Sequence, residues 1–334
     1  MRGSSFVVDY PMLRPHPWFR NGHLQTLATV LTKSKDSTRV ATKHVVPLAD
    51  GDRLVIHDDE AKSWITGDRI AVLVHGLCGC HDSPYIRRIA IKLRRHGIRT
   101  IRVDMRGFGD SALISRGHLY AGRSNDIRDI ATFLHHLSPL SSISLIGFSL
   151  GANIVLKFLI EQSRTHEPLE YVDSAIVVAP PVDLETCSAN LRTFGNRFYD
   201  YYFVDQLAQT LTHRRRHVAN LLDNGLNPIP DRLLQFDDEF TAPINGFSGA
   251  REYYQRCSTV NNLDEVQTPT ILVAAEDDPI VPFEIFDTRY FSTKIDFVNT
   301  RCGGHLGFLG NHPKDPDQHW LDWRICDWID SLDD

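Results

Sequence analysis

Three residues far apart in this chain, Ser149, Asp278 and His305, carry the side chains that together turn a hydroxyl into a nucleophile. A serine hydroxyl attacks a carbonyl only when a base removes its proton. The base needs an acid to fix its tautomer, and the oxyanion that forms needs two hydrogen-bond donors. The serine stands in Gly147-Phe148-Ser149-Leu150-Gly151. An apolar, β-branched run over 142–146 precedes it and reads as a buried strand, and 152–160 reads as a mostly buried helix. A serine pinched between glycines at so sharp a turn is held in a strained conformation, and the glycines remove collisions on either side.

The acid is expected after a second strand-like run, 270–275, in Glu276-Asp277-Asp278-Pro279-Ile280-Val281-Pro282. A carboxylate at the carboxyl end of a parallel strand faces the crevice where ligands bind in open α/β sheets. Asp278 is preferred because prolines follow it at once and again four positions on, and Asp277 stays open as the alternative. The base is expected at His305, within Cys302-Gly303-Gly304-His305-Leu306-Gly307-Phe308. It follows a short strand-like run over 295–299, and its glycines let the backbone swing an imidazole out over the sheet. The oxyanion donors are expected to be the backbone N–H groups of Leu150, directly after the serine, and of Leu77. The latter lies in His75-Gly76-Leu77-Cys78-Gly79, after the apolar run 70–74.

These residues need a scaffold, and the pattern supplies one. Strand-like and helix-like stretches alternate from about residue 69 to 180, which predicts a parallel sheet with helices on both faces. Amphipathic helices are expected over 86–95 and 126–137 as crossovers, and a final packing helix over 320–329. No strand signal appears between 179 and 270. That stretch holds Phe194, Phe198, Tyr199, Tyr201, Tyr202 and Phe203, which read either as packing or as the wall of an apolar acyl pocket.

At 334 residues and 42% hydrophobic, the chain can bury one large core. A net charge of −6 argues against a general nucleic-acid binder. The local cluster His213-Arg214-Arg215-Arg216-His217 reads as a solvated helix face. Six cysteines at 78, 80, 187, 257, 302 and 326 show neither a disulfide framework nor the paired spacing of a zinc site. No metal and no cofactor is expected. No apolar run approaches the length of a membrane span, and the amino terminus has no apolar leader segment, so a cytoplasmic chain is expected.

Taken together, the motifs resemble the α/β-hydrolase superfamily and, within it, the YheT-like branch that includes the eukaryotic α/β-hydrolase domain proteins. The likeness covers most of the chain. It is carried by Pro17-Trp18-Phe19-Arg20-Asn21-Gly22-His23-Leu24-Gln25-Thr26-Leu27, by His75-Gly76-Leu77-Cys78-Gly79 with Ser83-Pro84-Tyr85, and by the serine and histidine motifs above. Phe236-Asp237, Thr241-Ala242-Pro243, Gly246-Phe247 and Tyr253-Tyr254 add to it. The resemblance implies an α/β-hydrolase fold over 1–334, a mostly parallel central sheet flanked by helices, with a helical cap inserted at about 181–266. It implies a serine hydrolase of carboxylic esters, either short- to medium-chain acyl esters or acylglycerol-like lipids, with Ser149, Asp278 and His305 as the charge-relay residues. An acyltransferase that passes the acyl group to an alcohol would use the same site, and a silent hydrolase fold serving as a binding module is the third alternative. Cys78, Cys80 and Phe108 depart from the branch's pattern, and none of them is a catalytic position.

Overall fold

The computed structural model describes residues 11–31, 41–215 and 230–332. Eight strands form one sheet: β1 (Thr42–Pro47), β2 (Arg53–Asp59), β3 (Ile70–Val74), β4 (Arg99–Asp104), β5 (Ile143–Phe148), β6 (Val172–Val178), β7 (Thr270–Ala275) and β8 (Ile295–Thr300). Their order is β1-β2-β4-β3-β5-β6-β7-β8. The first two strands run antiparallel to their neighbours, and every pairing from β4 to β8 is parallel.

The helices are α1 (Gly22–Leu31), α2 (Pro84–Arg95), α3 (Ser124–Leu137), α4 (Leu150–Arg164), α5 (Leu184–Leu191), α6 (Arg197–Arg215), α7 (Leu233–Phe236), α8 (Ala242–Ile244), α9 (Ala250–Cys257) and α10 (Trp320–Asp330). Helices α2, α3 and α4 are the crossovers that parallel neighbours require. Because side chains alternate along a strand, the β3 run Ile-Ala-Val-Leu-Val feeds two cores. Ala71 and Leu73 pack with Ile86, Ile89 and Leu93 of α2 and with Trp320, Ile325 and Trp328 of α10. Val72 and Val74 pack on the other face with Ile127 and Ile130 of α3 and Val155 and Phe158 of α4. This double burial is why the central strands read as unbroken apolar runs while β1, at the edge, has only Val46 fully buried.

Between β6 and β7 the described residues are helical, from α5 through α9, with residues 216–229 of that stretch outside the description. In the basic cluster expected on a solvated face, His213 and Arg215 are exposed and Arg214 departs from the expectation. Arg214 is 1% exposed. Its guanidinium donates to the carbonyls of Ala112, Ser115 and Gly117 at 2.8–3.0 Å and to His118 Nδ1 at 3.0 Å. Burial lowers its pKa to about 10, against the opposing pull of Asp52. The stretch 109–117 offers more carbonyls than it can pair, and a buried arginine satisfies them. Arg216 and His217 lie outside the described residues. No described helix is long and apolar enough to cross a membrane.

Candidate active site

The turn from β5 into α4 sets Ser149 at φ +50°, a left-handed value that a non-glycine residue adopts only under constraint. The flanking glycines are required by contact. A Cβ on Gly147 would lie 2.6 Å from Ala152 Cα, and one on Gly151 would overlap the carbonyl oxygens of Val74 and His75. Strand β5, helix α4 and the end of β3 therefore meet too closely for a side chain at either glycine.

Ser149 Oγ lies 2.8 Å from His305 Nε2, and His305 Nδ1 lies 2.8 Å from Asp278 Oδ2. A carboxylate only accepts, so Nδ1 carries the proton, and Nε2 presents its lone pair to the serine hydroxyl. Asp278 Oδ1 accepts the N–H groups of Ile280 (2.8 Å) and Val281 (3.0 Å), which fixes the plane of the carboxylate. Asp277 points elsewhere: its Oδ1 accepts the Gly304 N–H at 2.8 Å, inside the histidine loop. The two neighbouring acids thus hold one loop in two ways, Asp278 through the imidazole and Asp277 through the backbone.

The amino-terminal motif completes the support. Thr26 Oγ1 accepts the His305 N–H at 2.8 Å and donates to Gly22 O at 2.7 Å. Gln25 Oε1 accepts the Leu309 N–H at 2.7 Å, while its Nε2 donates to Phe19 O at 2.7 Å and Leu309 O at 3.1 Å. At Gly22 a side chain would collide with Asp277 O, and at Gly304 it would collide with Gly22 O. The motif's role as a clamp on the histidine loop could not be read from the sequence, because its partners stand about 280 positions away. On the far side, Asn190 of α5 donates to the carbonyls of Pro279 (2.9 Å) and Ile280 (3.2 Å), tying the helical stretch to the acid's turn.

Leu77 and Leu150 line the same cavity as Ser149. No described acceptor takes either backbone N–H. The loop that carries Leu77 is positioned by His75, which is buried. Its Nδ1 donates to Gly76 O at 2.7 Å and its Nε2 accepts the Met105 N–H at 3.1 Å. Burial lowers its pKa, so it stays neutral with both ring nitrogens engaged. Tyr85 Oη accepts the Gly76 N–H at 3.0 Å.

The cavity, of about 90 Å³, is walled mainly by apolar groups, among them Leu119, Leu184, Leu191, Leu207 and Ile280. Of the six aromatic residues over 194–203, only Phe203 lines it. Tyr199 is buried, stacked on His23 of α1 at 5.7 Å between ring centroids. Phe194, Phe198, Tyr201 and Tyr202 are exposed. Within α6 the helical spacing sorts them: 198 and 201 share an outward face, while 203 and 207 turn inward, and Phe194 precedes the helix.

A second cluster, unforeseen in the sequence, lies behind the Leu77 loop. His57 Nε2 and His81 Nδ1 both donate to Asp104 Oδ2, at 3.0 and 2.7 Å, and Asp110 Oδ2 is 3.5 Å from His57 Nε2. The four donor atoms lie within 4.8 Å of one another, a spacing a metal ion could occupy. The imidazoles, however, are stacked 3.5 Å apart and within 12° of parallel. Their hydrogen bonds converge on Asp104 as a brace and hold its carboxyl well below the usual carboxylate range.

A family model described as the alpha/beta hydrolase fold matches residues 72–311. The chain belongs to that family. It is 26% identical over 318 residues to YheT of Escherichia coli, across 94% of this chain and 92% of that protein. It is 26% identical over 291 residues to the monoacylglycerol lipase of Saccharomyces cerevisiae, across 84% of this chain and 61% of that protein. Among solved structures, the Pyrococcus furiosus esterase Pf2001 superposes with a TM-score of 0.57 over 90% of this chain and 97% of its own. At 15% identity that likeness speaks for the fold alone. The expected hydrolase fold and YheT-like resemblance are thereby met.

Proposed function

We propose that this α/β-hydrolase cleaves carboxylic esters, of short- to medium-chain acids or of acylglycerol-like lipids, through an acyl-enzyme on Ser149. The observation that carries the reading is the continuous hydrogen-bonded run from Ser149 Oγ through His305 to Asp278, opening on an apolar cavity. The name of the yeast relative, a monoacylglycerol lipase, supports the reaction class.

Ser149 Oγ adds to the ester carbonyl while its proton passes to His305 Nε2. Asp278 stabilises the imidazolium, and the N–H groups of Leu77 and Leu150 hold the oxyanion. Collapse expels the alcohol, which takes the proton back from His305. Water then attacks the acyl-enzyme, giving its proton to His305, and the second collapse releases the acid and restores the serine. Helices α5–α9 act as the cap that keeps the cavity apolar. Six unpaired cysteines favour a reducing, cytoplasmic setting.

The test is labelling with a fluorophosphonate probe, followed by p-nitrophenyl esters of increasing acyl length. Wild type labels and hydrolyses; Ser149→Ala loses the label and about a million-fold in kcat. Retention of a tenth of the activity in Ser149→Ala would remove Ser149 from the nucleophile's role.

A further inference from the structure

The cavity that holds Ser149 also holds a carboxyl group that the hydrolytic steps do not use. Asp237 lines it, is 8% exposed, and opens a π-helical turn, Asp237–Thr241, between α7 and α8. Such a turn adds one residue to the helical ladder and re-aims a side chain, and it recurs at functional sites. Tyr254 Oη lies 2.8 Å from Asp237 Oδ2 and 3.3 Å from Ser188 Oγ. The Thr241 hydroxyl is a second donor to the carboxylate.

No cation pairs with Asp237 among the described residues. The ionisable groups facing it are Tyr253 and Tyr254 on α9 and Asp200 on α6, and Asp200 is 3.4 Å from Arg232. Burial among them pushes the Asp237 carboxyl up to about 6. A carboxyl group in an apolar cavity without a counter-ion is costly. Holding one tyrosine hydroxyl does not require it, since a neutral amide oxygen would do the same. A carboxylate has about four lone-pair sites, and two hydroxyls leave acceptor capacity on a group that lines the cavity.

We propose that Asp237, positioned by Tyr254, accepts a hydrogen bond from a hydroxyl group of the substrate, so that the preferred ester carries a free hydroxyl besides its ester bond. The inference rests on the ester-hydrolase reading above. A hydroxyl can reach the carboxylate from either side of the ester, as part of a polyol alcohol or at the end of an acyl chain. A charge-assisted hydrogen bond of this kind corresponds to a preference of roughly 10–100-fold over the analogue that lacks it.

Two matched pairs test the idea: hexanoylglycerol against propyl hexanoate, and ethyl ω-hydroxyhexanoate against ethyl hexanoate. The kcat/KM ratio within each pair is measured for wild type, Asp237→Asn, Asp237→Leu and Tyr254→Phe, with fluorophosphonate labelling of each variant as the check on folding. In wild type at pH 8 the hydroxylated ester is preferred in at least one pair, and the pair identifies which side carries the group. The ratio falls toward one in both Asp237 variants and by a smaller factor in Tyr254→Phe. It also falls in wild type below about pH 6 as the carboxylate protonates, while the triad's own pH dependence is common to both members of a pair and cancels. A wild-type ratio of one in both pairs overturns the proposal, as does an undiminished ratio in the correctly folded Asp237→Asn. Absence of both labelling and hydrolysis in wild type would instead fail the esterase reading, and the recognition role with it.

Discussion

The serine turn and the histidine loop face one another across 2.8 Å, yet they are held by opposite means. The turn around Ser149 is built mostly from its own segment: β5 enters, α4 leaves, and Gly147 lets the two pack without a gap, while Gly151 lets α4 meet the end of β3 at Val74 and His75. The loop around His305 has one turn bond of its own, from the Phe308 N–H to Gly303 O at 2.9 Å, and its other supports come from elsewhere. It depends on Asp277 and Asp278 from the end of β7, on Thr26 and Gln25 from α1, and, through the acid's turn, on Asn190 from α5. A catalytic group can therefore be fixed by neighbours in the chain or by partners recruited from a distance, and damage should look different in each case.

The largest effect is expected at the joint between the two regions. Asp278→Asn keeps the shape but offers His305 the wrong hydrogen-bonding group, so kcat should fall on the order of ten-thousand-fold with little change in thermal stability. Next comes Gly151→Ala on the serine side. Its Cβ must displace the carbonyls of Val74 and His75, which should cost about 3 kcal/mol in denaturant unfolding and lower activity in parallel. Thr26→Val tests the opposite side. It leaves the buried His305 N–H without an acceptor, a loss of about 1–3 kcal/mol, and should appear as a 10- to 100-fold fall in kcat with KM nearly constant. If Thr26→Val lowered stability as much as Gly151→Ala while sparing kcat, the contrast between a local and a borrowed support would collapse. The smallest effect is expected for Asp277→Asn, whose amide oxygen can still accept the Gly304 N–H: a few-fold change in kcat sharpens the assignment of the two acids, and a loss near that of Asp278→Asn would reverse it.

How much of this could be read in the sequence follows the same division. The serine turn was legible because its cause is local: a β-branched run, two glycines and an apolar helix stand side by side. The parallel sheet was legible for the same reason, through runs such as 70–74 and 270–275, whose double burial leaves no alternation. The choice between Asp277 and Asp278 rested on proline spacing alone, since both side chains leave the same turn and only the fold shows which one reaches Nδ1. The clamp made by Gln25 and Thr26 was visible as a motif but silent in purpose. Arg214 misled, because a basic cluster on a helix reads as solvated unless one knows that unpaired carbonyls wait beneath it. The outward aromatics of α6 misled too, since composition reveals density of rings but not the side on which they lie. Asp237 carried no signal beyond its place in a shared motif; a buried acid cannot be told from an exposed one until its neighbours are known.

Arg214 has one further consequence. An ionised guanidinium gripping the carbonyls of residues 112, 115 and 117 works as a rivet between the far end of α6 and the body of the protein. Sliding that helix would strip a charge of its partners in a dry setting, a penalty of several kcal/mol. The carboxyl-terminal half of α6 is thus an anchored post beside the cavity that Leu207 lines, and travel of this helix as a rigid piece is opposed at that end.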